Sequence, residues 1–375
     1  MAKITLVSRN FPPLSGGMER LVYEMYRGLS QAHEVRLLGP HGCKQYASPG
    51  SEVRETRISP TLLFVFLTAL KGVYLRVFKG ASEVVIGGSG LVGPVVILLA
   101  RLSGARSVVL LHGLDIIADS RAYQWFFVPL LRRADVAVCN SRNTARLAVK
   151  HGVAEERIVI INPGVTLPGE TPAESVARAK LGFAGEKVLL SVGRLLPRKG
   201  ITEFIDKTLS LLVKGDPDWR LLIAGSEPKN ALNRPTESVL ANIEMAIARH
   251  GLQDKVKLLG HADDDQLAVL YAAADAFVFP LVETPGDVEG FGMVAIEAAA
   301  FGTPTVAFDC GGVGDAVVDG INGALVDAGD YAGFADAIRK VVAADLRQSS
   351  RQFAQDFSWA NYGRQIESCL DEVTR

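Results

Sequence analysis

Cysteine is scarce in this chain of 375 residues, and Cys43, Cys139, Cys310 and Cys369 stand far apart with no C-x-x-C pair. That usage suits a reduced, cytoplasmic protein and gives no sign of a zinc site. An excess of one charge is also lacking. A net charge of −1 argues against a nucleic-acid binder, which would need a broad basic face. A small phosphate-bearing ligand stays compatible, because it needs only a local cluster of donors. The chain has no low-complexity tract, and its 48% hydrophobic residues place it among folded proteins. It enters a strand pattern at Lys3, so no leader peptide is expected. The longest apolar stretch, Leu62 to Phe78, is broken by Lys71 and Arg76 and is a poor candidate for a membrane span. A helix packed on a sheet is the first reading of it. The second is peripheral contact with an anionic membrane, with Lys71, Arg76 and Lys79 at the head groups.

What the chain does have is a repeating alternation. Short Val, Ile and Leu runs joined by helical segments predict strands at Lys3–Arg9, Glu34–Gly39, Val53–Ile58, Glu83–Gly87, Arg106–Leu111, Val136–Asn140 and Ile158–Ile161. Thr166–Ser175, with two prolines and a glycine, reads as a linker. A second series follows at Lys187–Val192, Arg220–Ala224, Lys255–Leu259, Ala276–Pro280, Thr303–Phe308 and Ala324–Asp327. The pattern implies α/β architecture: two Rossmann-like, doubly wound domains, residues 1–167 and 168–358, facing each other across a cleft. A helical tail, residues 359–375, follows the second domain. Ligands of such sheets sit beyond the carboxyl ends of the strands, so residues just after strands carry the chemistry.

Three such stretches are informative. Glu289-Gly290-Phe291-Gly292-Met293-Val294-Ala295-Ile296-Glu297 places two glycines where a loop opens a helix, whose free N–H groups suit an anion. Glu297 lies among apolar neighbours, where a carboxylate needs donors; two ribose hydroxyls would supply them. The competing reading, solvated glutamates on a surface helix, fits Glu289 but fits Glu297 poorly. Val192-Gly193-Arg194-Leu195-Leu196-Pro197-Arg198-Lys199-Gly200 puts cations at the end of a strand, where they would face a diphosphate. Phe11-Pro12-Pro13-Leu14-Ser15-Gly16-Gly17 removes side chains just before a helix, but no Gly-Lys-Ser/Thr follows, so it is not a Walker loop.

Gly88-Ser89-Gly90-Leu91-Val92-Gly93 matches the dinucleotide fingerprint, yet it follows the fourth strand, and Asp115 is the nearest acid after the next one. It leaves an NAD-dependent oxidoreductase as a competing class. His112, at the end of the fifth strand, could donate to sugar hydroxyls or phosphate.

Together these residues resemble the family-4, group 1 glycosyltransferases of GT-B architecture. Glu289 and Glu297 match the family's E-x7-E element, Arg194 and Lys199 its diphosphate-binding pair, and Gly16-Gly17 its N-terminal glycine loop. Asp309–Gly312 and Asp319–Val326 are similar to its C-terminal signature. The resemblance implies retaining hexosyl transfer from a nucleoside-diphosphate sugar to a glycan or lipid-linked acceptor, as in bacterial polysaccharide, lipopolysaccharide or glycolipid synthesis. It implies that Glu297 binds ribose and that Glu289 sits at the donor sugar beside the amides of Phe291, Gly292 and Met293. Arg194 and Lys199 would hold the phosphates, with His112 near the reacting centre. The tail would cross back to the first domain. The loop Leu281–Val288 is similar to that of bacterial mannosyltransferases using GDP-mannose. Thr166 and Gly314-Asp315 depart from the family pattern, and a nucleotide-sugar epimerase on a related fold is a further alternative.

The resemblance implies no cofactor and no essential metal, and no carboxylate pair of metal-ligand character stands near the phosphate motif. Transfer should therefore persist in excess EDTA; complete loss that Mg²⁺ reverses would reveal a metal site.

Overall fold

The computed structural model describes residues 1–227 and 238–374. The chain divides into two compact units, Met1–Gly164 with Trp359–Arg375, and Val165–Ser358. Val165–Leu167 go with the second unit, where the Val165 N–H donates to the Phe357 carbonyl at 2.7 Å. Arg375 lies outside the described residues.

The first unit carries strands β1 (Lys3–Val7), β2 (Glu34–Pro40), β3 (Val53–Thr56), β4 (Val84–Gly87), β5 (Arg106–Leu111), β6 (Val136–Cys139) and β7 (Ile158–Ile160). They form one parallel sheet in the order β3-β2-β1-β4-β5-β6-β7. The second unit carries β8 (Lys187–Val192), β9 (Trp219–Ala224), β10 (Val256–Gly260), β11 (Ala276–Phe279), β12 (Thr305–Phe308) and β13 (Gly323–Val326). These are also parallel, in the order β10-β9-β8-β11-β12-β13. Both sheets are of the Rossmann type, and every predicted strand is present within a few residues.

The apolar runs are explained by burial on both faces. In β8, Leu189 joins one core while Val188 and Leu190 join the other; in β1, Ile4 and Leu6 face one core and Val7 the opposite one. A strand covered on one side only would alternate apolar and polar residues instead. In each unit the strand order reverses once, between β1 and β4 and between β8 and β11. Loops leaving adjacent strands there run to opposite faces of the sheet, which opens a crevice at the carboxyl ends.

Helix α1 (Gly17–Ala32) follows β1, α2 (Thr61–Lys79) follows β3, and α3 (Gly93–Ser103) follows β4. The terminal helix Trp359–Thr374 lays Tyr362, Ile366, Cys369 and Leu370 into the core that also holds Leu21, Met25 and Leu29 of α1. His33, just past α1, accepts from the Ala2 N–H through Nδ1, so its Nε2–H donates to Glu367 at 2.7 Å. The tail is thus an integral part of the first unit's core. Ile366→Ala should lower the stability of that unit by about 2–4 kcal/mol. Asp371→Ala, at an exposed position of the same helix, should stay within about 0.5 kcal/mol. Urea unfolding of both variants checks this.

Candidate functional site

The second unit gathers the charged residues at its reversal point. The loop after β8 runs through Arg194, Arg198 and Lys199, and the loop after β11 runs through Asp287 and Glu289. A backbone bond ties the two together, Val282 N–H donating to Arg198 O, while Gly193 N–H and Leu195 N–H tie the first loop to Ala224 O and Ser226 O at the end of β9. Gly200 turns the first loop with φ +64, and a Cβ there would stand 1.9 Å from the Pro280 carbonyl oxygen. Only glycine allows that approach. The loop after β12 joins them, because Gly312 N–H donates to the Glu289 carbonyl at 2.9 Å.

This scaffold buries an ion cluster. Lys199 Nζ donates to Glu289 Oε2 at 2.7 Å, and Arg198 reaches the same oxygen at 3.3 Å. Arg198 also lies 3.5 Å from Asp287 Oδ2. The side chains of Arg198, Lys199 and Glu289 are only 11%, 12% and 15% exposed. Lys199 Nζ stands 4.5 Å from the centre of the Phe279 ring. Arg194 stays exposed but acts on both Lys199 and Glu289 through its charge. Three cations here face two carboxylates.

The imbalance shows in the ionisation. Burial pushes the Lys199 ammonium down, and Glu289, which favours the charged form, is opposed by Arg198 and Arg194; the pKa ends below the usual lysine value. Burial pushes the Glu289 carboxyl up, but Lys199, Arg198 and Arg194 outweigh it and hold the pKa below the usual carboxylate range. The buried Nε of Arg198 has no protein acceptor. Such a cluster is completed by an anion with several acceptor oxygens.

Two sequence-based readings change here. Glu289 alone is compatible with a solvated surface position, yet its carboxylate is enclosed by cations from a loop some ninety residues earlier. It lies in the loop, outside the helix Met293–Ala300. Lys199, which at a strand end would read as an exposed cleft cation, is largely enclosed, its side chain 12% exposed. Arg198 is the functional residue that the motif alone does not single out. Its sequence signal is a second cation beside Lys199, but nothing local distinguishes it from Arg194.

The helix Met293–Ala300 starts behind Gly292, which has φ +96. Phe291 is buried and its ring packs 5.8 Å from that of Phe357, so its side chain anchors the loop. Glu297 is held by the buried Tyr271, whose hydroxyl donates to Oε2 at 3.4 Å. Burial and the Glu297 charge push the Tyr271 pKa well up, so it remains a donor. Tyr271 lies in the helix Asp264–Ala273 and orients the carboxylate; no local sequence signal marks this pairing.

The remaining predicted residues belong to the first unit, around its own reversal point. Gly16 precedes α1 with φ +156, and Gly17 begins it; both are exposed. Glu19 in the first turn accepts from the Asn10 side chain at 2.7 Å. His112 is buried, and its Nε2 lies 2.9 Å from the Gly88 carbonyl. A carbonyl only accepts, so Nε2 carries a proton and Nδ1 is the ring atom left for a ligand.

The fingerprint-like Gly88–Gly93 turn has a packing explanation. Asp115 accepts from the Gly90 N–H at 2.7 Å and from the His112 N–H at 2.9 Å, tying the two loops together. A Cβ on Gly88 would stand 2.5 Å from Ser8 Oγ. The amide that would cradle a pyrophosphate is therefore spent on Asp115, and the acid that would take a ribose is spent on the amides. Among the described residues, no group of three or more His, Cys, Asp or Glu is arranged to hold a metal ion.

Comparison with known proteins agrees with this geometry. A model of the group 1 glycosyl transferases matches residues 174–357, and one of Glycosyltransferase Family 4 matches residues 15–167. HepE from Anabaena, solved in complex with UDP, superposes with a TM-score of 0.80 at 22% identity, covering 99% of this chain and 100% of that one. Sucrose-phosphate synthase from Thermosynechococcus elongatus superposes with a TM-score of 0.77 at 23% identity, covering 100% and 99%. In sequence, the chain is 37% identical over 251 residues to the D-inositol 3-phosphate glycosyltransferase of Mycolicibacterium vanbaalenii, 62% of this chain and 54% of the relative. The enzyme of the same name from Mycolicibacterium smegmatis is 36% identical over 234 residues, 61% and 50% respectively. The chain spans about half the length of these relatives.

The fold is one of two Rossmann-like domains, and the two family models together span most of the chain. The chain belongs to the group 1, family-4 glycosyltransferases.

Glu289→Gln tests the cluster independently of activity. The carboxyl pKa is lowered in the fold, so its stabilising contribution is present above the unfolded value near ~4.3. That contribution is lost as the pH falls through the lowered value. The variant should be less stable than the parent by about 2–4 kcal/mol at neutral pH, and the gap should close in acid. Urea titrations across pH read both.

Proposed function

We propose that this protein transfers a hexosyl unit, with retention at the anomeric carbon, from a nucleoside-diphosphate sugar to a hydroxyl acceptor. The observation that carries the donor half is the buried cluster with more cations than carboxylates. A diphosphate would supply the missing negative charge, and Arg194 with Lys199 would stabilise the charge that grows on it as the glycosidic bond breaks. Arg194 offers a planar fork and Lys199 a point charge, so the two address different oxygens. Glu289 acts twice. It keeps Lys199 and Arg198 in place before the donor arrives, and in the complex it reaches the sugar hydroxyls. Glu297, oriented by Tyr271, binds the ribose hydroxyls. The amides of Phe291, Gly292 and Met293 face the donor at the start of their helix. The Nδ1 of His112 accepts from a sugar hydroxyl near the reacting carbon. Gly16 and Gly17 let the first unit's backbone come close to the donor. Retention follows from the family resemblance.

The Leu281–Val288 loop supports GDP-mannose as donor, while the UDP complex of HepE supports a uridine nucleotide. A thermal-shift screen of UDP-, GDP- and ADP-sugars separates them. For the acceptor we favour a lipid-linked glycan intermediate at the cytoplasmic leaflet, supported by the exposed apolar face of α2. The inositol phosphate in the names of the relatives supports a soluble acceptor instead, and product analysis by NMR reports both the acceptor and the anomeric outcome.

Arg194→Ala should lower kcat/KM about 10²-fold at unchanged stability, because the side chain is exposed. Lys199→Ala should lower the rate at least as far and also cost about 2–4 kcal/mol of stability, since it strands a buried Glu289. Near-parental kinetics for both would overturn the donor assignment.

A further inference from the structure

Helix α2 is built the wrong way round for a surface helix. It is long and apolar enough to cross a bilayer, yet most of it is uncovered. Phe64, Thr68, Gly72 and Leu75 form its buried side, and a Cβ on Gly72 would stand 2.5 Å from Leu99 of α3. Leu62, Leu63, Phe66, Leu70, Tyr74, Val77 and Phe78 point outward, with Leu62 71%, Phe66 60% and Phe78 67% exposed. The steps of three and four residues put these on one face of the helix. No charged residue of α2 lies on that face, and Arg54 of β3 borders it, its guanidinium 5.4 Å from the centre of the Tyr74 ring. Leu98 and Leu102 of α3 are exposed beside it. A contiguous apolar face of this kind marks a contact surface.

The helix packs on the sheet as expected, with Phe64 and Leu75 in one core with Val7 and Leu38, which leaves its other side uncovered. Its cations are partly drawn into the protein. Lys71 donates to the Glu55 carbonyl and to Thr56, Lys79 pairs with Glu52 at 3.4 Å, and Arg76 has its Nε buried. Other cations border the face: Arg57 before α2, and Arg101, exposed on α3 between Leu98 and Leu102. From Arg57 to Arg106 the sequence holds six cations and a single acid, Glu83.

We propose that the outer face of α2, with Leu98 and Leu102, docks flat on an anionic lipid surface, with Arg57 and Arg101 at the head groups. A span is ruled out because the opposite side of the helix is packed into the unit. A second copy of the chain is disfavoured because a two-fold contact would set basic borders against each other. An anionic surface meets both the apolar face and the cations. This deepens the lipid-linked reading of the acceptor, while the diphosphate cluster lies in the other unit and is tested separately.

The test uses the full chain in co-sedimentation with vesicles of phosphatidylcholine alone or mixed with phosphatidylglycerol. Binding should require the anionic lipid and weaken at high salt. It should fall roughly tenfold or more when Leu62, Phe66, Leu70 and Phe78 all become Ser. The combination Arg57→Gln with Arg101→Gln should weaken it and flatten its salt dependence. Circular dichroism and the thermal shifts with UDP and GDP should match the parent in both variants, so a failed donor assignment would leave this result standing. Absence of vesicle binding, or binding that ignores both variants, overturns the proposal. So does a concentration-dependent dimer in sedimentation velocity that the Ser variant abolishes without any lipid binding.

Discussion

The carboxylate of Glu289 between Lys199 and Arg198 is the contact on which the loops of the second unit depend. The cations come from one loop and the carboxylate from another, and their bond closes the gap between the strands β8 and β11, where the sheet reverses. Two buried cations side by side would repel, and a buried carboxylate alone would be costly to desolvate. Together they hold two loops in one geometry before any ligand is present. Pre-organisation of this kind is what makes fixed charges effective against charge that develops during a reaction.

The two units use their equivalent crevices differently. In the second, the loops after β8 and β11 bring Arg198 and Lys199 against Asp287 and Glu289, with the Nε of Arg198 left without a protein acceptor. In the first, the loops after β1, β4 and β5 are tied by neutral or self-satisfied contacts: Asp115 on two amides, His112 on the Gly88 carbonyl, Glu19 on Asn10. The same Rossmann topology thus yields an anion-seeking crevice in one unit and a mostly uncharged, hydrogen-bonding one in the other.

The Gly88–Gly93 turn shows how a short motif misleads. Its glycines have the right spacing, follow a strand and precede a helix, yet close packing against Ser8 and the bond to Asp115 account for them. Motif spacing reports that backbone must come close to something. It does not report whether that something is a ligand or the protein itself.

The sequence alone determined where the strands lie and that both sheets are parallel, because a strand buried on two faces must be apolar at successive positions. It also carried the resemblance to the family, in the motifs around Arg194, Lys199, Glu289 and Glu297. Tertiary structure decided who meets whom. Arg198 and Glu289 are about ninety residues apart, Arg178 and Asp275 97, and no local pattern encodes such a meeting. Tyr271 behind Glu297 was hidden for the same reason. The orientation of α2 was hidden for another: its residues are apolar almost all round, so composition gives the helix but not the side that is covered. Only the packing of Gly72 against Leu99, and the inward turn of Lys71, decide that its apolar surface faces outward.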